Sequence, residues 1–251
     1  MASIFCGYFV KGGCFKKKGT DLNYGAYVLD EKFLTDAEIA RLCELAIGLS
    51  KQSTPTHEAG KYASKLWSFI PLVENGAEIP DNVRTPEVNK VISFFKTPIN
   101  MAVFYYLQPG GVLHPHRDLT GAKLNQRIRF HIPIQTNPKV VFKVSGEQVV
   151  MRPGTFWALD TSYVHSVRND GNEVRVHIVI ECDVNDWCKS LLVKPNLITK
   201  VHDIYYALYL GTAILKSLLV NSWKDPKYLK AQLGMGIRFI QWRSKMIFRR
   251  K

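Results

Sequence analysis

Arg127-Ile128-Arg129-Phe130-His131-Ile132-Pro133 alternates polar and apolar residues one for one. A period of two is a strand, with Arg127, Arg129 and His131 on one face and Ile128, Phe130 and Ile132 on the other. An apolar face must lie against a core, so this strand is half of a packed layer. From about Asn100 onward the same short period recurs in Met101–Leu107, Val140–Val144, Gln148–Met151, Thr155–Leu159 and Val174–Glu181. Turn residues separate these runs: Pro109-Gly110-Gly111, Ser145-Gly146, Pro153-Gly154 and Asn169-Asp170-Gly171-Asn172. Residues 20–35 also look extended, and 51–62 look loop-like.

Upstream, the period changes to a helical one. Thr35 and Glu38 form a capping box ahead of Ile39, Leu42, Cys43, Ala46 and Leu49. Thr85-Pro86-Glu87 opens a second helix with Val88, Val91, Ile92 and Phe95 on its apolar side. Many short strands after a helical start predict a mainly β chain with flanking helices, as a barrel or sandwich.

The chain has 251 residues, 46% hydrophobic and 22% charged, the composition of a globular protein. Its five cysteines are odd in number and include no CxxC pair, which argues against a disulfide scaffold or a zinc–thiolate site. Free thiols point to a reducing, cytoplasmic setting. No secretory signal is expected, because the basic run Lys16-Lys17-Lys18 follows the apolar stretch rather than preceding it.

The net charge is +13, and residues 189–251 hold 13 Lys/Arg against Asp203 and Asp225, a net of +11. Two parts are therefore expected. Residues 1–188 form a near-neutral domain with its β core at about 100–183, and 189–251 form a basic helical C-terminal extension.

His116-Arg117-Asp118 and His165 carry the chemistry. Residues i and i+2 of an extended chain point the same way, so His116 and Asp118 can reach one ion. His165 follows 49 residues later, at the expected end of a strand through Ser162-Tyr163-Val164. Two imidazoles and a carboxylate on one side leave positions open opposite, the facial arrangement of non-heme Fe(II) oxygenases. An H-x-D pair also arises by chance, and His114 competes because it shares the face of His116 and Asp118. Arg175 lies among β-branched residues on a strand, and its planar fork suits a carboxylate. Arg129 and His131 could add donors from their own strand.

In this setting five motifs occur in order: His-Pro-His-Arg-Asp (114–118), Arg-Phe-His-Ile-Pro (129–133), Pro-Gly-Thr-Phe-Trp-Ala-Leu-Asp (153–160), Val-His-Ser-Val (164–167) and Arg-Val-His-Ile-Val (175–179). Together they resemble the aspartyl/asparaginyl β-hydroxylase family of 2-oxoglutarate-dependent oxygenases. The resemblance spans Phe104 to Trp187. It implies a double-stranded β-helix (jelly-roll, cupin-like barrel), Fe(II), and 2-oxoglutarate as co-substrate, with succinate and CO2 as co-products. It implies His116, Asp118 and His165 as metal ligands, and Arg129, His131 and Arg175 at the 2-oxoglutarate site. His114, Arg127 and His177 are candidates to face substrate. Animal protein-modifying members lack the carboxylate ligand, whereas Asp118 stands in its place here. That resembles the bacterial members acting on free proline, lipid A or sugars, so a small-molecule or lipid/sugar substrate is expected ahead of a peptidyl one.

The basic extension raises a separate question. Residues 203–223 are apolar but contain Gly211 and Lys216, and a membrane-spanning helix needs about 20 apolar residues. A second helix is expected from Asp225-Pro226-Lys227. Two helices packed over the barrel would explain the pattern. So would an anionic membrane surface as partner for 203–251, at the inner face of a membrane. No zinc finger, RRM or helix-turn-helix pattern supports nucleic acid. Two rival functions remain at this level: a non-catalytic cupin-like module binding membranes or nucleic acid through the tail, and a metal-dependent hydrolase or isomerase. The second would need neither oxygen nor 2-oxoglutarate.

Overall fold

A computed structural model describes residues 25–56, 63–73, 79–118, 127–193 and 197–224. They fall into two compact units, the first running to Lys200 and the second beginning at Val201.

The first unit contains two sheets, antiparallel throughout. A seven-stranded sheet has the order β1-β9-β6-β11-β4-β3-β2 and a four-stranded sheet the order β5-β10-β7-β8. Their strands are β1 (Ala26–Asp30), β2 (Thr54–Pro55), β3 (Trp67–Val73), β4 (Ile99–Leu107), β5 (Val112–His116), β6 (Arg127–Gln135), β7 (Val140–Val144), β8 (Glu147–Val149), β9 (Phe156–Leu159), β10 (His165–Asn169) and β11 (Arg175–Asp183). This is the expected mainly β jelly-roll with helices on one side.

Alternation assigns the two faces of the large sheet. Ile128, Phe130, Ile132 and Ile134 of β6 join Val176, Ile178, Ile180 and Cys182 of β11 in the main core, with Ala102, Phe104 and Tyr106 of β4. Helices α1 (Asp36–Leu49) and α2 (Pro86–Ser93) close that core with Leu42, Cys43, Ala46, Val88 and Val91. The opposite face of the sheet belongs to a smaller core shared with the four-stranded sheet, containing Trp67, Leu107, Leu113, Phe142, Val144, Leu159, Tyr163 and Val167. Arg129, His131, Arg175, His177 and Glu181 therefore alternate onto this second face, between the sheets, because the odd positions of β6 and β11 share it.

Helix starts follow the sequence. The Glu38 N–H donates to Thr35 Oγ1 at 3.3 Å and the Thr35 N–H to Glu38 Oε2 at 2.8 Å, completing the capping box. Thr85 accepts from the Val88 N–H ahead of α2, with Pro86 in the first turn. Asn185 accepts from the Cys188 N–H to start α3 (Asp186–Leu191). Gly154, at φ +78°, turns the chain from β8 into β9 beneath α1, where a Cβ would lie 2.5 Å from Ile39 Cδ1.

Two expectations change. Strand β2 pairs with β3 inside the stretch read as loop, at Thr54↔Phe69 and Pro55↔Ser68. Strand β3 carries Pro71, which is tolerated because it lies beyond the residues β2 pairs, where β3 is an edge. His165 opens β10 instead of ending a strand. Asp160 Oδ1 accepts from the Ser162 N–H and Oγ, and the Tyr163 N–H donates to Asp160 O, so residues 160–163 form a turn. Of the segment 20–35 expected to be extended, Ala26–Asp30 forms β1 and residues 31–34 turn ahead of α1; residues 20–24 and 57–62 lie outside the described residues.

Of the basic extension, one helix is described, α4 (Leu197–Lys224). The second expected helix, from Asp225, lies outside the described residues. Among the described residues no helix is long and apolar enough to cross a membrane.

Candidate metal centre

Strand pairing brings the two histidines together. His116 ends β5, His165 begins β10, and the two are direct cross-strand partners, with ring centroids 4.3 Å apart. Asp118 is held beside them by the 160–164 segment: its N–H donates to Thr161 O at 2.9 Å, and Arg117 Nη1 donates to Ser162 O at 3.1 Å. One ligand atom from each of His116, Asp118 and His165 lies within 4.8 Å of the others.

The protonation pattern suits a cation. His116 Nδ1 lies 2.8 Å from His114 O, and His165 Nδ1 lies 3.1 Å from Tyr163 O. A carbonyl only accepts, so each Nδ1 carries a proton and Nε2 is the ring nitrogen left to face an ion. Burial, then the neighbouring His116, pushes His165 down to about 4, which keeps it neutral near pH 7. Burial alone would raise Asp118, but Arg129, His165 and His116 outweigh it and hold the carboxyl below its usual range. Two imidazole nitrogens and one carboxylate fit a divalent first-row metal such as Fe(II).

Arg129 faces this carboxylate. Its Nη1 lies 2.9 Å from Asp118 Oδ2, an ion pair without hydrogen-bond alignment, and its Nε donates to Glu181 Oε2 at 2.9 Å. Burial alone would lower the guanidinium's pKa, but Asp118 and Glu181 outweigh it and raise it. Glu181 stands directly across the ladder from Arg129 and also accepts from Arg127 Nη1 at 2.8 Å. The line Asp118–Arg129–Glu181–Arg127 thus alternates in charge.

Deeper between the sheets, a second group has different needs. Arg175 is 4% exposed, and among the described residues no carboxylate pairs with it. Its Nη2 lies 2.9 Å from His177 Nδ1, and its guanidinium carbon is 5.8 Å from the Phe142 ring centre. A guanidinium only donates, so His177 Nδ1 accepts and its Nε2 carries the proton. That Nε2, Arg175 Nε and both ring nitrogens of His131 are buried with no hydrogen-bond partner among the described residues. Burial lowers Arg175 to about 9, so it stays charged near neutrality. Burial, then Arg175, pushes His131 and His177 well below the usual histidine range. Buried donors around an unpaired cation are costly unless an anion completes them. A carboxylate, with acceptors only, is the matching group.

The remaining candidates are placed as follows. Arg127 is half-exposed and sits between Glu181 and Asp183. The His114 side chain is exposed on β5, and its carbonyl orients His116. His177 lies in the buried Arg175 group, its ring 5.8 Å from that of His131. Sequence reasoning passed over Glu181 and Phe142. The run Arg175-x-His177-x-Val179-x-Glu181 marks Glu181 as inward by its period of two, and it supplies the anion that Arg127 and Arg129 require.

Facing antiparallel sheets with a His–Asp–His group between strand ends define a jelly-roll protein with a candidate metal centre. The sequence profile of the aspartyl/asparaginyl β-hydroxylase family matches residues 36–184, more than half of the chain, and the chain belongs to that family. It is 29% identical over 136 residues to the human aspartate beta-hydroxylase domain-containing protein 2, and 28% identical to the mouse protein. The match covers 52% of this chain and about a third of the human relative's length, 34%. Among solved structures, the non-heme α-ketoglutarate-dependent epimerase SnoN from nogalamycin biosynthesis shares a TM-score of 0.47 at 13% identity, covering 63% of this chain and 77% of that one. A Pseudomonas putida prolyl-4-hydroxylase shares a TM-score of 0.45 at 13% identity, covering 64% and 94%.

Proposed function

We propose that this protein is an Fe(II)- and 2-oxoglutarate-dependent dioxygenase that hydroxylates an unactivated C–H bond. The observation that carries the reading is Arg175: a buried guanidinium with no counter-charge among the described residues, beside ring nitrogens of His131 and His177 that have no hydrogen-bond partner among them, on the sheet face that also holds the partner of Asp118. When bound, Fe(II) would activate dioxygen, the oxidant, and 2-oxoglutarate would supply the two electrons that balance the oxidation of the C–H bond, with one oxygen atom going to the substrate carbon, the other to succinate, and CO2 as co-product.

His116, Asp118 and His165 would hold the metal through two Nε2 atoms and a carboxylate oxygen. Arg175 would clamp the far carboxylate of the co-substrate, with His177 Nε2–H and His131 as further donors. Arg129 balances the charge of Asp118 and keeps it ionised. Phe142, Trp157 and Tyr105 line the space between the sheets and limit water there.

A small-molecule or lipid/sugar substrate is our reading of the retained Asp118 and of the basic C-terminal region. A peptidyl aspartate, as the relatives' name suggests, is the competitor. Among the described residues Cys182 and Cys188 are free and buried, which supports a reducing compartment.

The test is anaerobic absorbance of the purified chain. A weak visible band that appears only when both Fe(II) and 2-oxoglutarate are present supports joint chelation. Iron binding without that band removes the co-substrate and moves the assignment to a metal-dependent hydrolase or isomerase.

A further inference from the structure

Helix α4 exposes an apolar stripe that the catalytic reading does not use. Leu197, Val201, Ile204, Leu208, Leu215 and Leu219 are all exposed, and Leu208 is 65% so. At 100° per residue these positions fall within an arc of about 60°. Tyr205 and Tyr209, also exposed, lie along one border of the stripe. The helix of 28 residues is roughly 42 Å long at 1.5 Å per residue. A continuous exposed stripe of that length marks an interaction surface.

We propose that this stripe lies on an anionic lipid membrane, with the helix axis in the membrane plane. Charge selects the occupant. The only acidic residue in α4 is Asp203, which is buried at 5% exposure, whereas Lys200 and Lys216 are exposed. Residues 189–251 together carry +11, from 13 Lys/Arg against two acids. A second copy of the chain would bring the same positive charge to the same face, and anionic headgroups neutralise it. Lys216 can extend along the stripe and leave its ammonium at headgroup level. Tyrosine rings suit the boundary between headgroups and acyl chains. No described helix is long and apolar enough to cross, so α4 rests on the surface rather than spanning it.

The experiment is co-sedimentation of the full chain with vesicles of phosphatidylcholine, with and without phosphatidylserine, at low and high salt. The wild type is expected to sediment with phosphatidylserine vesicles at low salt and to release at high salt, because the attraction is screened. The double variant Leu208→Glu/Leu215→Glu is expected to lose at least about tenfold in vesicle affinity, since it sets carboxylates in the apolar stripe. Lys200→Glu/Lys216→Glu should weaken binding and reduce its salt dependence. All four positions are exposed, so the variants should keep the wild-type melting temperature. Failure to bind phosphatidylserine vesicles at low salt overturns the proposal. So does wild-type affinity in the leucine variant. Sedimentation without lipid covers the rival occupant: a dimer that this variant disperses, with no vesicle binding, assigns the stripe to a second copy. These outcomes are independent of the iron and 2-oxoglutarate assays.

Discussion

Replacing Arg175 with Met separates a ligand anchor from a structural cation by the sign of its effect. Arg175 is buried, and among the described residues its Nε has no partner and no carboxylate faces it. Its polar contact among the described residues is with His177 Nδ1 at 2.9 Å. Losing that hydrogen bond costs about 0.5–1.5 kcal/mol. Replacing a buried charge with an apolar group of similar volume is neutral or gains roughly 1–4 kcal/mol. The ligand-free melting temperature should therefore stay the same or rise. Binding of 2-oxoglutarate should suffer instead, because hydrogen bonds to a charged group are worth about 1.5–3 kcal/mol, roughly 10- to 150-fold in Kd. Ligand at 100 times the wild-type Kd stabilises the wild type by about 2.7 kcal/mol; after a roughly 10- to 150-fold weakening this falls to about 1.4–0.3 kcal/mol. At about 2–4 °C per kcal/mol for a chain of this size, the thermal shift should fall from roughly 5–11 °C to roughly 1–6 °C. The assay is thermal denaturation with Mn(II) in place of iron, with and without 2-oxoglutarate. A ligand-free melting temperature lowered by roughly 6–20 °C, the 3–5 kcal/mol cost of breaking a buried ion pair, together with an intact ligand shift, would refute the reasoning.

Three further predictions concern the same unit. His165→Ala should abolish Mn(II) binding, read by electron paramagnetic resonance, and succinate release, while circular dichroism stays as in the wild type; a variant that still binds the metal normally would remove His165 from the ligand set. Glu181→Gln leaves Arg129 with Asp118 as its main anionic partner, so the guanidinium competes harder with a metal for that carboxylate, and Mn(II) affinity should fall about tenfold. An unchanged affinity would make Glu181 purely structural. Glu38 is lowered to about 2, first by Lys90 and then by the Thr35 backbone, so its contribution to stability is present above the usual glutamate range and is lost as pH falls towards 2. Lys90→Ala should therefore reduce the difference in urea midpoint between pH 7 and pH 3 relative to the wild type, and an unchanged difference would count against the pair.

What could be read from the chain follows the range of the forces involved. Helix starts at Thr35 and Thr85 were legible because a cap and the amide it satisfies are three residues apart. The inward faces of β6 and β11 were legible because alternation is a period of two within one strand. His116 and Asp118 stood out for the same reason. The position of His165 was misjudged by one element, since the turn before it depends on Asp160 capturing Ser162, a choice that the β-branched and aromatic residues around it do not announce. Strand β2 escaped because two residues carry no period at all. The charge order of the site was hidden for a different reason. Arg127, Arg129 and Arg175 look alike in sequence, each an arginine among strand formers. Only the β6–β11 register sets Glu181 opposite Arg129 and within reach of Arg127, while Arg175, at the far end of β11, meets no acid among the described residues. One carboxylate thus divides the arginines. Two are neutralised and steady the candidate metal ligand Asp118, and the third keeps a charge that no acid among the described residues pairs.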